Sequence, residues 1–280
     1  MKEKKKDRLL PRPVFILLHT LSLSVFCVSL WQLTAYFLEK TEEKSFNQTL
    51  VESTVTPVSW TEKDDEEKAS LFQTEEGVGK DDYFCYPDIS VDITKLKAQY
   101  PNAIGWLYSP DTPIHYPVMQ AQDNDYYVNH LANGKENSAG SVFMDCSSDA
   151  SLNDFFHILY GHNMQNGTMF GTILDYRKEG YFSDHPYLFY FTDSEIYRLE
   201  VFAGINTVAD SDYYKIPQGD SAKEAYIKSA RERSYFYADI PVGKEDSFML
   251  LSTCSGSASS DARFLLFAKI VPISQEIVTE

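Results

Sequence analysis

From Val14 to Leu38 the chain carries no Asp, Glu, Lys or Arg, and 18 of these 25 residues are apolar. At roughly 1.5 Å per residue, a helix of this length spans a hydrocarbon core of about 30 Å. A cleaved secretory signal would have a shorter apolar region, about 7–15 residues, ending at a small-x-small site. Here the run ends in Tyr36-Phe37-Leu38. Residues 1–13 hold six basic and two acidic residues. These features predict an uncleaved signal-anchor: residues 1–13 a basic cytoplasmic tip, residues 14–38 a single transmembrane helix, and the remainder an extracellular domain at the cell membrane.

Charge and cysteine content change meaning once the chain is divided this way. The formal net charge of −16 is a +4 tip and a −20 remainder. An exported part this acidic has no basic face to neutralise phosphates, which excludes a nucleic-acid partner. Residues 39–82 contribute 13 acidic residues and 5 Lys, including Glu62-Lys63-Asp64-Asp65-Glu66-Glu67-Lys68, and are predicted to be an acidic spacer, flexible or partly helical. Residues 83–280 are the predicted globular domain. Cys27 falls inside the span, which leaves Cys85, Cys146 and Cys254 outside the membrane. An odd number leaves at least one thiol without an intramolecular partner. No C-x-x-C spacing suggests a metal, no EF-hand-like loop stands out, and no cofactor is expected.

After Tyr83, short apolar runs recur between turn signals: Ile104–Tyr108, Ile114–Met119, Ser141–Met144, Phe156–Tyr160, Tyr187–Phe191, Ile196–Ile205, Phe248–Ser252 and Phe264–Val271. This spacing predicts a mostly β domain, an antiparallel barrel or sandwich. A short helix is predicted over Asp92–Tyr100. Another is predicted from the capping box Ser221-Ala222-Lys223-Glu224, in the long connection before the Phe248 strand.

Cys254 ends the apolar strand Phe248-Met249-Leu250-Leu251-Ser252-Thr253-Cys254 and is followed by the small pair Ser255-Gly256. His162 follows the strand Ile158-Leu159-Tyr160-Gly161; His157, His130, His115 and His185 compete for the same role, but His157 lies within that strand, facing core or solvent. Arg263 opens the next strand, nine positions after Cys254. Each alone has a structural alternative: a buried cysteine, a hydrogen-bonded histidine, a surface arginine. Together they are consistent with acyl transfer through a thioester. A thiol attacks as thiolate, and a free cysteine ionises only near pH 8.5 unless positive charge favours the anion. Imidazole supplies general acid–base catalysis and guanidinium holds an oxyanion or a substrate carbonyl. Ser252 and Thr253 are candidate groove-lining residues. A hydrolytic cysteine protease and a non-catalytic surface module are the competing classes. A disulfide from Cys254 to Cys85 or Cys146 would remove the nucleophile.

These motifs resemble the sortases, membrane-anchored cysteine transpeptidases of Gram-positive bacteria, and specifically class B. The resemblance runs over about residues 83–273. It is carried by Leu250-Leu251-Ser252-Thr253-Cys254, Tyr160-Gly161-His162-Asn163-Met164 and Arg263. It is further carried by Asn102-Ala103-Ile104-Gly105-Trp106-Leu107, Ile114-His115-Tyr116-Pro117-Val118, Asp123-Asn124-Asp125-Tyr126-Tyr127, Ser138-Ala139-Gly140-Ser141-Val142-Phe143-Met144-Asp145 and Gly167-Thr168-Met169-Phe170-Gly171. Leu250 replaces a Thr of the family's strand-end motif. Ser255-Gly256 stand where many members carry an acidic residue, and the nearest loop carboxylate is Asp261. The resemblance implies a closed eight-stranded barrel with N-terminal helices and a helix before the Cys strand. It implies Cys254 as nucleophile, His162 as general acid/base and Arg263 as the carbonyl or oxyanion donor. The implied substrates are surface proteins with an Asn-Pro-x-Thr-like or Ser/Pro-Pro-x-Thr-like sorting signal. The implied acceptor is a peptidoglycan-linked amine, or a pilin lysine in a pilus-building enzyme.

Overall fold

The computed structural model describes residues 12–58, 86–256 and 260–273, and the chain divides into two compact units, 1–46 and 47–280. Helix α1 (Arg12–Thr54) is 43 residues long. From Pro13 it is long and apolar enough to cross a membrane, and its apolar stretch has no protein cover. Leu17, Leu23, Trp31 and Leu38 are each more than 60 % exposed, which is consistent with a membrane anchor. Some polar side chains of this stretch bond back onto the helix: the Thr20 and Ser24 hydroxyls donate to the carbonyls of Leu17 and Leu21 at 2.9 and 2.8 Å.

The second unit opens with the end of this helix, where Leu50 and Thr54 are buried. Strand β1 (Val55–Pro57) then pairs antiparallel with β2 (Ile89–Val91). The folded unit thus starts at Asn47, well before the boundary at 83 drawn from composition. The acidic run 62–68 dominates the average over residues 39–82 and hides the apolar Leu50 and the β-branched Val55-Thr56; that run lies outside the described residues. Helix α2 (Ile93–Gln99) begins where expected, with the Asp92 carboxylate accepting the Lys95 N–H at 2.8 Å.

Eight strands follow: β3 (Ala103–Tyr108), β4 (His115–Met119), β5 (Val142–Met144), β6 (Phe156–Tyr160), β7 (Tyr187–Phe191), β8 (Ile196–Val208), β9 (Phe248–Cys254) and β10 (Ala262–Ile273). They close into a barrel in the order β10-β8-β7-β3-β4-β5-β6-β9. Pairing is antiparallel except at β4–β5 and β6–β9, which are parallel. Every apolar run identified in the sequence forms one of these strands.

Alternation along the strands sorts side chains to two faces. Leu107, Val118, Val142, Leu159, Leu188, Leu199, Leu251 and Leu266, one from each strand, pack together inside the barrel. On the outer face Phe248, Leu250, Leu265 and Phe267 pack with Phe202, Ile205, Ile227 and Ala230. Ile227 and Ala230 come from helix α3 (Asp220–Glu232), in the connection between β8 and β9. The capping box expected at Ser221 does not form. The helix starts two residues earlier, its N-cap is Gly219 with no side-chain cap, and Asp220 pairs with Lys244 at 2.6 Å. Leu250 is fully buried on this outer face, so an apolar side chain there supplies packing under α3.

Two histidines make stability depend on pH. His157 faces the core, not solvent: it is fully buried. Burial pushes its pKa below the ordinary value, against the opposing charges of Asp154 and Asp149. Burial likewise pushes His115 down to about 4, against Asp88. In the unfolded chain both titrate near ~6.5. Between these values the unfolded state binds more protons, so the histidine contribution is complete above about pH 6.5 and is lost as pH falls toward 4. The urea midpoint measured from pH 7.5 to 5 is expected to fall more steeply in the native sequence than in His157→Leu. Identical slopes would contradict this account of His157.

Candidate active site

Two strand pairings converge on one end of the barrel. In the antiparallel β9–β10 ladder, Cys254 and Arg263 are direct cross-strand partners. In the parallel β6–β9 ladder the register ends at Tyr160↔Ser252, and two residues further along each chain stand His162 and Cys254. Cys254 and Ser252 alternate with Leu251 and share the outer face with Leu250; Arg263 shares it with Leu265. The three polar residues therefore emerge together, on the side covered by the β8–β9 connection. All three line one open cleft of about 280 Å³.

The backbone of His162 is held to the cysteine strand. The Gly161 N–H donates to the Ser252 carbonyl at 3.2 Å and the Phe170 N–H donates to the His162 carbonyl at 2.9 Å. The Thr253 hydroxyl donates to the Gly161 carbonyl at 2.7 Å. A side chain at Gly161 would run into the Phe170 ring, with a Cβ only 2.7 Å from it, so glycine lets the loop close over this strand end. The imidazole tip is fixed separately: Nε2 lies 2.7 Å from the Val128 carbonyl. A carbonyl only accepts, so Nε2 carries the proton, and in the neutral ring Nδ1 is the nitrogen left with a lone pair.

Nη1 of Arg263 donates to the Ser260 and Ala262 carbonyls, both at 3.1 Å. This braces one arm of the planar fork on the Cys-to-Arg loop and leaves Nε and Nη2 for other acceptors. The cleft wall also includes Tyr214, whose hydroxyl is 2.8 Å from Ser252 Oγ. Burial raises the Tyr214 pKa, partly offset by Ser252 and by the charge of Arg263. Asn124 and Tyr160 also line the cleft and are tied together by Asp145, which accepts from Asn124 Nδ2 at 2.8 Å and from the Tyr160 hydroxyl at 3.0 Å. Burial would raise the Asp145 pKa, but the hydrogen bonds from Ser147, Tyr160 and Asn124 outweigh it and hold the carboxyl below the usual range.

Each residue predicted from sequence has a definite place. Cys254, His162, Arg263, Ser252 and Thr253 all line the cleft. The hydroxyls of Ser252 and Thr253 are engaged with Tyr214 and Gly161. Cys254 and Cys146 are free thiols, so they are not bridged to one another; Cys85 lies outside the described residues. No Asp or Glu is among the described cleft-lining residues. Asp261 is exposed, and its backbone carbonyl accepts the Ala209 N–H at 2.9 Å. His130 stacks on Tyr126 at 4.1 Å and, with His115, His157 and His185, stands outside the cleft lining. Sequence reading did not single out Tyr214, Tyr160 or the Val128 carbonyl as parts of the site. Tyr214 lies in a connection whose path the sequence leaves open, and a backbone acceptor has no side-chain signature.

A closed eight-stranded barrel with a thiol, an imidazole and a guanidinium at one strand end is the architecture of a thiol acyl-transfer enzyme. No protein-family model matches the chain. Sortase B of Listeria monocytogenes is 31 % identical over 182 residues, 64 % of this chain and 73 % of that protein. The structure of Bacillus anthracis sortase B in complex with AAEK1 matches with a TM-score of 0.64 at 26 % identity, covering 85 % of this chain and all of that one. A structure of sortase B complexed with triglycine matches with a TM-score of 0.62 at 27 % identity, covering 65 % and 86 % of the two chains. The chain belongs to the class B sortases, the cysteine transpeptidases anticipated from its motifs.

Proposed function

We propose that this sortase is a membrane-anchored transpeptidase in which Cys254 is the nucleophile, His162 the general acid/base and Arg263 the carbonyl and oxyanion donor. One observation carries the reading: the two strand registers that bring Cys254 opposite Arg263 and level with His162 at one cleft. In the first half-reaction the Cys254 thiolate attacks the carbonyl carbon of the Thr in a sorting signal. Arg263 stabilises the oxygen that gains negative charge. The C–N bond breaks, the imidazolium gives its Nδ1 proton to the leaving amine, and a thioester remains. In the second, a primary amine attacks the thioester, neutral Nδ1 takes its proton, and the Cys254 thiolate is released.

The substrates in this reading are surface proteins bearing Asn-Pro-x-Thr-like or Ser/Pro-Pro-x-Thr-like signals, and the acceptor is a peptidoglycan-linked amine. The triglycine complex of a related sortase B supports a small glycine amine as acceptor. The apolar part of α1 supports a single span, with residues 1–13 cytoplasmic and the catalytic unit outside. The test is product partition. A peptide carrying Asn-Pro-x-Thr, incubated with the protein and triglycine, is expected to give peptide–triglycine conjugate. Free acid as the sole product would instead indicate a hydrolytic protease. A covalent ladder on pilin, without triglycine conjugate, would indicate a pilus-building enzyme.

A further inference from the structure

We propose that Gly140 is a positioning residue for His162, acting through the Val128 carbonyl: the missing side chain at 140 lets that carbonyl stand where it holds the imidazole. The inference rests on His162 being the acid–base of the reaction above.

The His162 ring meets two separately built frames. Its backbone belongs to the end of β6 and is tied to β9. Its Nε2 bonds to Val128, at the end of a short 3-10 turn (Tyr126–Val128) 34 residues earlier in the chain. That turn is held by the segment just before β5 and by Asn102, just before β3. The Ser141 N–H donates to the Tyr127 carbonyl at 3.0 Å, the Ser141 hydroxyl donates to the His130 carbonyl at 2.8 Å, and Asn102 Nδ2 donates to the Tyr127 hydroxyl at 3.1 Å. Between these ties Gly140 is pressed flat on the turn. A Cβ at position 140 would lie 2.6 Å from the Tyr127 carbonyl oxygen and 2.8 Å from the Val128 carbonyl carbon, with the Val128 oxygen nearer still. All three are backbone atoms, which cannot rotate aside as a flexible side chain would. Gly140 also has φ +59°, a left-handed conformation that glycine adopts without strain. Even one methyl group must therefore move the carbonyl that bonds Nε2. That bond is what fixes which imidazole nitrogen carries the proton, and so which one is left to serve Cys254.

Gly180 separates conformational strain from displacement. It too is left-handed, φ +83°, but a Cβ there would meet nothing within 4 Å. The experiment compares Gly140→Ala with Gly180→Ala in the whole protein. For Gly140→Ala the rate of thioester formation is expected to fall on the order of 10–100-fold, as for a small misplacement of a reacting group, with KM for the peptide within about twofold. Gly180→Ala should keep the native rate. In the His162→Ala background, Gly140→Ala should cost nothing further. NMR on ¹⁵N-histidine-labelled protein reads the cause without substrate. At pH 8.5 the native His162 is expected as a single Nε2–H tautomer, and Gly140→Ala as a mixture of both. A native Nδ1–H tautomer would overturn the proposal whether or not the variant folds. So would a Gly140→Ala enzyme with native rate and tautomer, or one whose loss is shared equally by Gly180→Ala. Because the tautomer is measured without substrate, a wrong assignment of the reaction would leave this result intact and is tested separately at Cys254.

Discussion

Replacing Cys254 with Ala is expected to abolish cleavage of a sorting-signal peptide and the formation of any peptide–protein adduct. Two free cysteines, Cys27 and Cys146, remain among the described residues of such a variant. Neither is among the described residues that line the cleft with His162 and Arg263. The loss is specific because the sulfur is the atom that becomes acylated; an Ala enzyme retains the cleft but has no group to carry the acyl chain. The fold should survive. Cys254 is only partly buried and ends its strand, so losing one sulfur there removes little packing. Unchanged thermal stability with no turnover is the expected pair of results, measured by calorimetry and by chromatography of the peptide products. Normal cleavage by Cys254→Ala would refute the nucleophile.

Arg263→Lys is expected to lower kcat by ~10²–10³, the usual effect of removing one oxyanion donor, while leaving KM for the peptide little changed. Lys keeps the positive charge, so an effect this large would show that geometry matters as well as charge. Arg263 uses Nη1 to brace itself on the Ser260 and Ala262 carbonyls and still has a second edge to present to the cleft. A flexible ammonium is a point charge and cannot do both in a fixed plane. Full activity in Arg263→Lys would reduce the role of the residue to charge alone.

The strands were legible because the barrel buries both faces of most of them. An apolar run such as Phe248–Ser252 or Phe264–Val271 needs cover inside and out, and α3 with Tyr213 and Tyr226 supplies the outer cover. Cys254, His162 and Arg263 were legible as polar residues placed where apolar strands end. What brings them together was not. The parallel β6–β9 pairing joins residues 92 positions apart, Tyr160 and Ser252, and no local signal specifies it. The Val128 carbonyl that holds His162 is backbone, and Tyr214 reaches Ser252 only because the β8–β9 connection folds back over the cleft. The start of the folded unit was misplaced for a related reason. Leu50 and Val55–Pro57 count for little in a composition average set by the acidic run after them. The pairing of β1 with β2 lies beyond what such averages report.

The central claim is that Cys254 carries the acyl group between two amines. Intact-protein mass spectrometry of an acid-quenched reaction with an Asn-Pro-x-Thr peptide tests it most directly. The account predicts a mass increase equal to the N-terminal cleavage fragment, mapped to Cys254 after digestion. It should be absent in Cys254→Ala, and a chase with triglycine should remove it as the peptide–triglycine conjugate appears. Cleavage with no adduct on Cys254, or an adduct that triglycine cannot discharge, would contradict it.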